Sequence, residues 1–241
     1  KTMIVQGLGN VGFHAAKFLT EEDGVKVTAI IERDGAIISD AGLDIESVHH
    51  YRLENGGVKG FPKSEHVEDG HSILEKECNI LLPAALESQI TQENADRIKS
   101  NLIAEAANGP VTYGADQILR EKGIVIIPDA YLNAGGVTVS YFEWIKNLSH
   151  IRFGRMERRY EEAQSRGLVA AIEEATGKPL SDSTKEILIS GPDEIDLVRS
   201  GLDDTMRGAY NRIRDIYLER NKVVDLRTAA FVLAIEQIAD S

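Results

Sequence analysis

The chain opens on an apolar run, Met3 to Val5, that enters Gln6-Gly7-Leu8-Gly9-Asn10-Val11-Gly12, after which Val11, Ala15, Phe18 and Leu19 recur at helical spacing. The pattern predicts a strand, a tight glycine turn and a helix. A second run, Val25 to Ile31, predicts another strand and ends in Glu32. Asp34-Gly35 marks a turn, and Asp44 precedes a helical stretch from Ile45 to about Leu53 that closes at Asn55-Gly56-Gly57. The rest of the excursion from Asp34 to Gly70 reads as a solvated surface connection.

Short apolar strands are then expected at Ile80 to Leu82, Leu102 to Ala104 and Ile124 to Ile127. Helices are expected between them, one capped by Thr91 and running to about Ser100, the other capped by Thr112 and stopping at Gly123. Near-continuous apolar strands alternating with helices predict an α/β fold. It is a Rossmann-like doubly wound sheet, mostly parallel, with a C-terminal helical extension.

Past a loop leading to Asn133, the paired Gly135 and Gly136 are expected to precede a helix from Val137 to about Asn147. A charged helical stretch follows from Phe153 to about Thr176. Arg158 and Glu162 stand at i, i+4 spacing there, beside a narrow apolar seam at Met156, Tyr160 and Ala163. A stripe that thin predicts a projecting helix rather than a core one. Residues 180 to 191 read as irregular chain, and a helix from near Asp193 to about Asn221 precedes a last one capped by Asp225 and running through Ile238. The expected organisation is a dinucleotide-binding domain at 1–150, a helical projection at 151–191 and terminal helices packing back at 192–241.

The chemistry gathers at the expected carboxyl ends of the strands, where parallel sheets bind ligands. Gly7 permits the backbone reversal, Gly9 lets a pyrophosphate approach the main chain, and Gly12 lets the helix press on the strand. The helix start at Asn10 and Val11 turns N–H groups and the positive dipole end toward phosphate oxygens. Glu32 lies about 20 residues beyond Gly12, where an acid accepts hydrogen bonds from an adenine-ribose hydroxyl. Glu32 repels a 2′-phosphate and favours NAD, while Arg33 beside it is able to pair with that phosphate, so NADP stays open.

Composition narrows the alternatives. The 241 residues carry a net charge of -12 and are 42% hydrophobic, which disfavours a nucleic-acid partner and fits a soluble metabolic protein. No apolar run approaches the roughly 20 residues of a membrane span. The single cysteine, Cys78, allows no intrachain disulfide and reads as a buried thiol. The six histidines show no ligand spacing, and no metal site is expected. Because Lys1 falls directly on a core strand, an excised domain is expected. The expected compartment is cytoplasmic, or the mitochondrial matrix if the source is eukaryotic.

Five segments together resemble the nucleotide-binding domain of glutamate dehydrogenases. They are Gln6 to Gly12, Leu82-Pro83-Ala84-Ala85, Ala104 to Pro110, Tyr131 to Trp144, and Asp225-Leu226-Arg227-Thr228-Ala229-Ala230. The resemblance implies that Asn10 and Val11 hold the pyrophosphate, Glu32 the adenosine ribose, Ala84 and Ala85 border the cofactor, and Asn108 and Asn133 fix the nicotinamide ribose and carboxamide. It implies that Val137 and Ser140 line the substrate pocket, with the Ser140 hydroxyl bonding the side-chain carboxylate of glutamate. Related leucine and phenylalanine dehydrogenases lack that hydroxyl, since a buried donor facing an alkyl chain goes unpaired.

The resemblance also implies an antenna at 153–191, a homohexamer, and a catalytic lysine and aspartate in an amino-terminal domain preceding Lys1. The chain alone is therefore expected to bind NAD without turning over glutamate. Gly208 stands where animal members carry an arginine linked to ADP activation. Two other readings keep the fold: a dehydrogenase of leucine, phenylalanine or valine, and a non-catalytic NAD-binding oligomerisation module.

Overall fold

The computed structural model describes residues 1–149, 155–190 and 194–240. By internal contacts they form two units, one of Lys1–Ala134 with Tyr210–Ser241 and one of Gly135–Ala209.

The first unit is built on a seven-stranded sheet. Its strands are β1 (Thr2–Gln6), β2 (Lys26–Glu32), β3 (Gly35–Ile38), β4 (Glu65–Val67), β5 (Cys78–Pro83), β6 (Ser100–Ala104) and β7 (Val125–Ile127). The order across the sheet is β4-β3-β2-β1-β5-β6-β7. Strands β2, β1, β5, β6 and β7 run parallel, and β3 and β4 add an antiparallel edge. The fold is the expected α/β, Rossmann-like doubly wound one. Side chains alternate between two apolar layers, as a pleated strand requires. Met3 and Val5 enter the layer of Leu8, Ala16, Ile30 and Val48, while Ile4 enters that of Leu81, Ile103, Ala115 and Leu119.

Helix α1 (Asn10–Glu21) follows β1, and α2 (Ile45–Asn55) lies between β3 and β4. Asp44 caps α2 by accepting the Ser47 N–H at 2.7 Å, and Gly56 ends it in the left-handed region at φ 76°. Helix α3 (Tyr113–Glu121) connects β6 to β7. Its Thr112 has the extended backbone of a cap but makes no capping hydrogen bond with its side chain.

Two expectations fail in this unit before β7 is reached. The stretch from Asp34 to Gly70 is not a mere surface connection, because it supplies β3 and β4, with Ala36 and Ile37 fully buried. The helix expected from Thr91 to Ser100 is only a 3-10 turn at Ala95–Arg97. Asn94 intercepts the local backbone there, accepting the Thr91 N–H at 2.8 Å and donating to the Gln89 carbonyl at 3.0 Å. Lys122 then donates to the carbonyls of Ala95, Asp96 and Ile98, tying the end of this turn to the end of α3.

Beyond β7 the expected loop is a short helix, α4 (Asp129–Leu132), and α5 (Ala134–Ser149) begins at Ala134. Gly135 and Gly136 therefore lie inside the first turn of α5 rather than before it. The second unit also holds α6 (Arg155–Thr176) and α7 (Asp182–Ser190), and α8 (Glu194–Glu219) runs from it into the first. The stretch read as irregular is mostly α7, whose start is fixed by Ser181 accepting the Thr184 N–H at 3.2 Å and by Lys185 pairing with Glu173 at 2.8 Å. The side chains of Met156, Arg158, Tyr160 and Glu162, and the expected helix starts at Phe153 and Asp193, lie outside what is described. The final helix, α9 (Leu226–Ala239), is capped as expected, Asp225 accepting the Thr228 N–H at 2.6 Å.

Candidate functional site

The parallel strands end on one rim, Gln6 beside Ile31 and Pro83, and Ala104 beside Ile127. Strand order alone lines up the segments leaving that rim: Glu32, the glycine turn, Ala84 and Ala85, Asn108, and the approach to Asn133. Main-chain bonds continue the sheet into the loops. Gly7 N–H donates to Ile31 O at 2.8 Å, Ala84 N–H to Gln6 O at 2.8 Å, and Ala107 N–H to Pro83 O at 2.9 Å.

Within the turn the glycines differ in what their missing side chains allow. Gly7 has φ +86°, and a Cβ there would lie 2.6 Å from that of Ala85. A Cβ on Gly12 would lie 1.9 Å from the Gly7 carbonyl oxygen, so the helix meets the turn backbone to backbone. A Cβ on Gly9 would meet nothing within 4 Å. Gly9 also precedes α1 without offering a side-chain cap, so the N–H groups of Asn10, Val11 and Gly12 have no acceptor within the helix. Asn10 and Val11 are exposed and Gly12 is buried, so the positive end of the helix dipole is open to an anion beside Gly9, Asn10 and Val11.

Glu32 lies at the β2 end of the rim. Its Oε1 accepts the Leu8 N–H at 2.6 Å and lies 3.0 Å from Arg52 Nε on α2. Its Oε2 makes no hydrogen bond among the described residues. Arg33 is exposed in the turn after Glu32, and the cation nearest the acid is Arg52, which the sequence reading missed. Nothing local marks Arg52, because its role depends on α2 packing beside the end of β2.

At the other end, Asn133 donates from Nδ2 to Asn108 Oδ1 at 2.6 Å, joining the loop after β6 to the end of α4. Beneath this bridge is an ionic cluster that was also missed. Glu105 is fully buried and receives both its oxygens' hydrogen bonds from Arg227 Nη2, at 2.7 and 2.8 Å, with the Asp129 N–H donating to Oε2 at 2.8 Å. Burial pushes the Glu105 carboxyl above its ordinary range, against the pull of Arg227. Arg227 also reaches Asp129 at 3.1 Å and Asp116 at 3.3 Å, and Arg120 joins Asp116 to Asp225. Arg227 stood in the sequence within Asp225 to Ala230, but nothing in that segment names its three acidic partners.

Val137 and Ser140 belong to the second unit. Val137 is exposed, and the Ser140 hydroxyl donates to the Gly136 carbonyl one turn back at 3.1 Å. Cys78 is buried, as expected, and burial pushes its thiol up to about 12. Among the described residues no helix is long and apolar enough to cross a membrane, and no group of His, Cys, Asp and Glu is arranged to hold a metal ion.

A strand, glycine turn and helix, with an acid at the end of the next parallel strand, on the carboxyl rim of a doubly wound sheet, define a Rossmann-type nucleotide-binding fold. The family model for glutamate/leucine/phenylalanine/valine dehydrogenases matches residues 1–176, and the chain belongs to that family. It is 47% identical over 237 residues to a Sinorhizobium fredii protein described as a probable glutamate dehydrogenase, covering 98% of this chain and 54% of that one. It is 49% identical over 238 residues to the mitochondrial glutamate dehydrogenase of Dictyostelium discoideum, covering 99% of this chain and 47% of that one. The chain thus spans about half the length of the curated relatives it matches.

Among solved structures, a hetero-hexameric glutamate dehydrogenase from Thermus thermophilus in its Leu-bound form superposes with TM-score 0.73 at 22% identity, over 99% of this chain and 46% of that one. The glutamate dehydrogenase of Peptoniphilus asaccharolyticus gives 0.65 at 29% identity, over 99% and 45%. The family uses nicotinamide cofactors.

Proposed function

We propose that this chain is the nucleotide-binding part of an NAD-linked glutamate dehydrogenase, which deaminates L-glutamate oxidatively to 2-oxoglutarate and ammonia. The observation that carries the reading is the order along the rim: acid, uncapped helix start, alanine edge, asparagine pair. A dinucleotide is itself built in that order, from adenosine through pyrophosphate to nicotinamide.

The residues fit such a cofactor. Gly9 leaves room beside the uncapped N–H groups of Asn10 and Val11, and these donate hydrogen bonds that hold the pyrophosphate. The hydrogen-bonding capacity left on Glu32 Oε2 receives the adenosine ribose hydroxyls, and Arg33 stands outside that contact. A 2′-phosphate would meet the carboxylate, so NAD is preferred over NADP. Ala84 and Ala85 border the cofactor with small side chains. Asn108 and Asn133 orient the nicotinamide ribose and carboxamide. When bound, the nicotinamide ring supplies hydride transfer with the substrate α-carbon.

Val137 and Ser140 face the substrate side chain in this reading, the Ser140 hydroxyl donating to the distal carboxylate. The chain by itself binds cofactor without turnover, and the complete enzyme is a homohexamer with residues 151–191 as its antenna.

Steady-state assays of the full-length protein with NAD test the substrate. L-Glutamate is expected to be oxidised far faster than L-leucine or L-phenylalanine, and Ser140→Ala to lower kcat/KM for glutamate by about tenfold or more. A preference for the alkyl or aromatic substrate would replace glutamate with that amino acid. Absence of any amino-acid oxidation would favour the non-catalytic binding module.

A further inference from the structure

We infer that Arg227, on the terminal helix, is a positioning residue for the nicotinamide end of the site. The inference rests on the dinucleotide reading above.

The geometry runs through three acids. Arg227 Nη2 donates to both oxygens of Glu105, and Nη1 donates to Asp129 Oδ1 at 3.1 Å. The other Asp129 oxygen, Oδ2, accepts the N–H of Gly109 at 2.8 Å, which fixes the main chain directly after Asn108. The Asp129 N–H is held by Glu105 Oε2, and the Asp129 carbonyl accepts the Asn133 N–H at 3.1 Å. One guanidinium therefore clamps both supports of the Asn108–Asn133 bridge: the loop after β6 through Gly109, and α4 through its first residue. Nε completes the fork on Asp116 of α3 at 3.3 Å.

The chemistry of the cluster suits this task. A planar guanidinium with donors in fixed directions sets the relative positions of three carboxylates, which a lysine's single ammonium cannot do. Glu105 is fully buried, so its contacts are shielded from water and salt. Among the described residues the three carboxylates bond only to arginine side chains and main-chain N–H groups. Their effect on a ligand passes through where Asn108 and Asn133 stand.

The test compares NADH with ADP, which carries the adenosine and diphosphate but neither the second ribose nor the ring. Calorimetric titrations of the wild-type chain, Arg227→Lys and Asp129→Ala give the affinity ratio for the two ligands. Asp129→Ala leaves the Glu105–Arg227 pair intact and serves where Arg227→Lys fails to fold.

The wild type is expected to bind NADH more tightly than ADP. The variants are expected to lose about tenfold in NADH affinity while ADP affinity stays within about twofold. An unchanged NADH-to-ADP ratio in a folded variant would overturn the positioning role and leave the dinucleotide reading intact. A wild type that binds neither ligand would overturn the dinucleotide reading and this inference together.

Discussion

Gly9 and Gly12 carry opposite expectations. A Cβ at Gly12 would sit 1.9 Å from a backbone oxygen that has no freedom to retreat. Gly12→Ala is therefore expected to cost about 1–3 kcal/mol, read as a lower denaturant midpoint. Gly9→Ala meets open space and is expected to change stability by less than about 0.5 kcal/mol. It should nonetheless weaken NADH binding, because the added methyl occupies the approach of the pyrophosphate. Cys78, with its thiol pushed up to about 12 by burial, is expected to resist iodoacetamide at pH 8 in the folded chain and to react once denaturant is added. The turn at Gly7, the close packing of Gly12 and the buried thiol were legible in the sequence because each follows from a short local motif or from composition. Arg52 and Arg227 were not, because their acids come from elements 20 or more positions away that only the folded sheet brings together.

At the scale of elements, capping residues predicted ends well where the side chain bonds its own helix, as Asp44 and Asp225 do. They failed where another side chain competes, as Asn94 does after Thr91. Strands β3 and β4 escaped notice because four and three residues give too short a run to show a period of two. The Asp44 cap carries a pH signature. Hydrogen bonds from Ser47 hold its carboxyl below the usual range, so the folded state binds that proton less readily than the unfolded chain. Its contribution is then fully present above the unfolded value of 3.8 and is lost as pH falls through the lowered folded value. Asp44→Ala is expected to cost about 1 kcal/mol at neutral pH. Urea titrations should show wild type and variant converging as the pH is lowered past that range, and a gap that persists in acid would contradict the cap as its source.

Across the whole molecule, topology does what no single segment can. Placing β1 between β2 and β5 brings the acid after one strand and the alanines after the other to the two sides of the glycine turn. The β5-β6-β7 run then carries the rim on to Asn108 and the start of α4. That the main strands run parallel was readable from the alternation of apolar runs and helices, whereas their order, the antiparallel edge and the tie from α9 to Glu105 after β6 were not. Hydrogen exchange with and without NADH tests most directly whether a dinucleotide lies along this rim. Exchange at the amides of Asn10, Val11 and Gly12, which lack acceptors within α1, is expected to slow markedly on NADH binding, with slowing also at Asn108 and Gly109. Unchanged exchange at those amides under saturating NADH, or slowing confined to residues remote from the rim, would contradict the account.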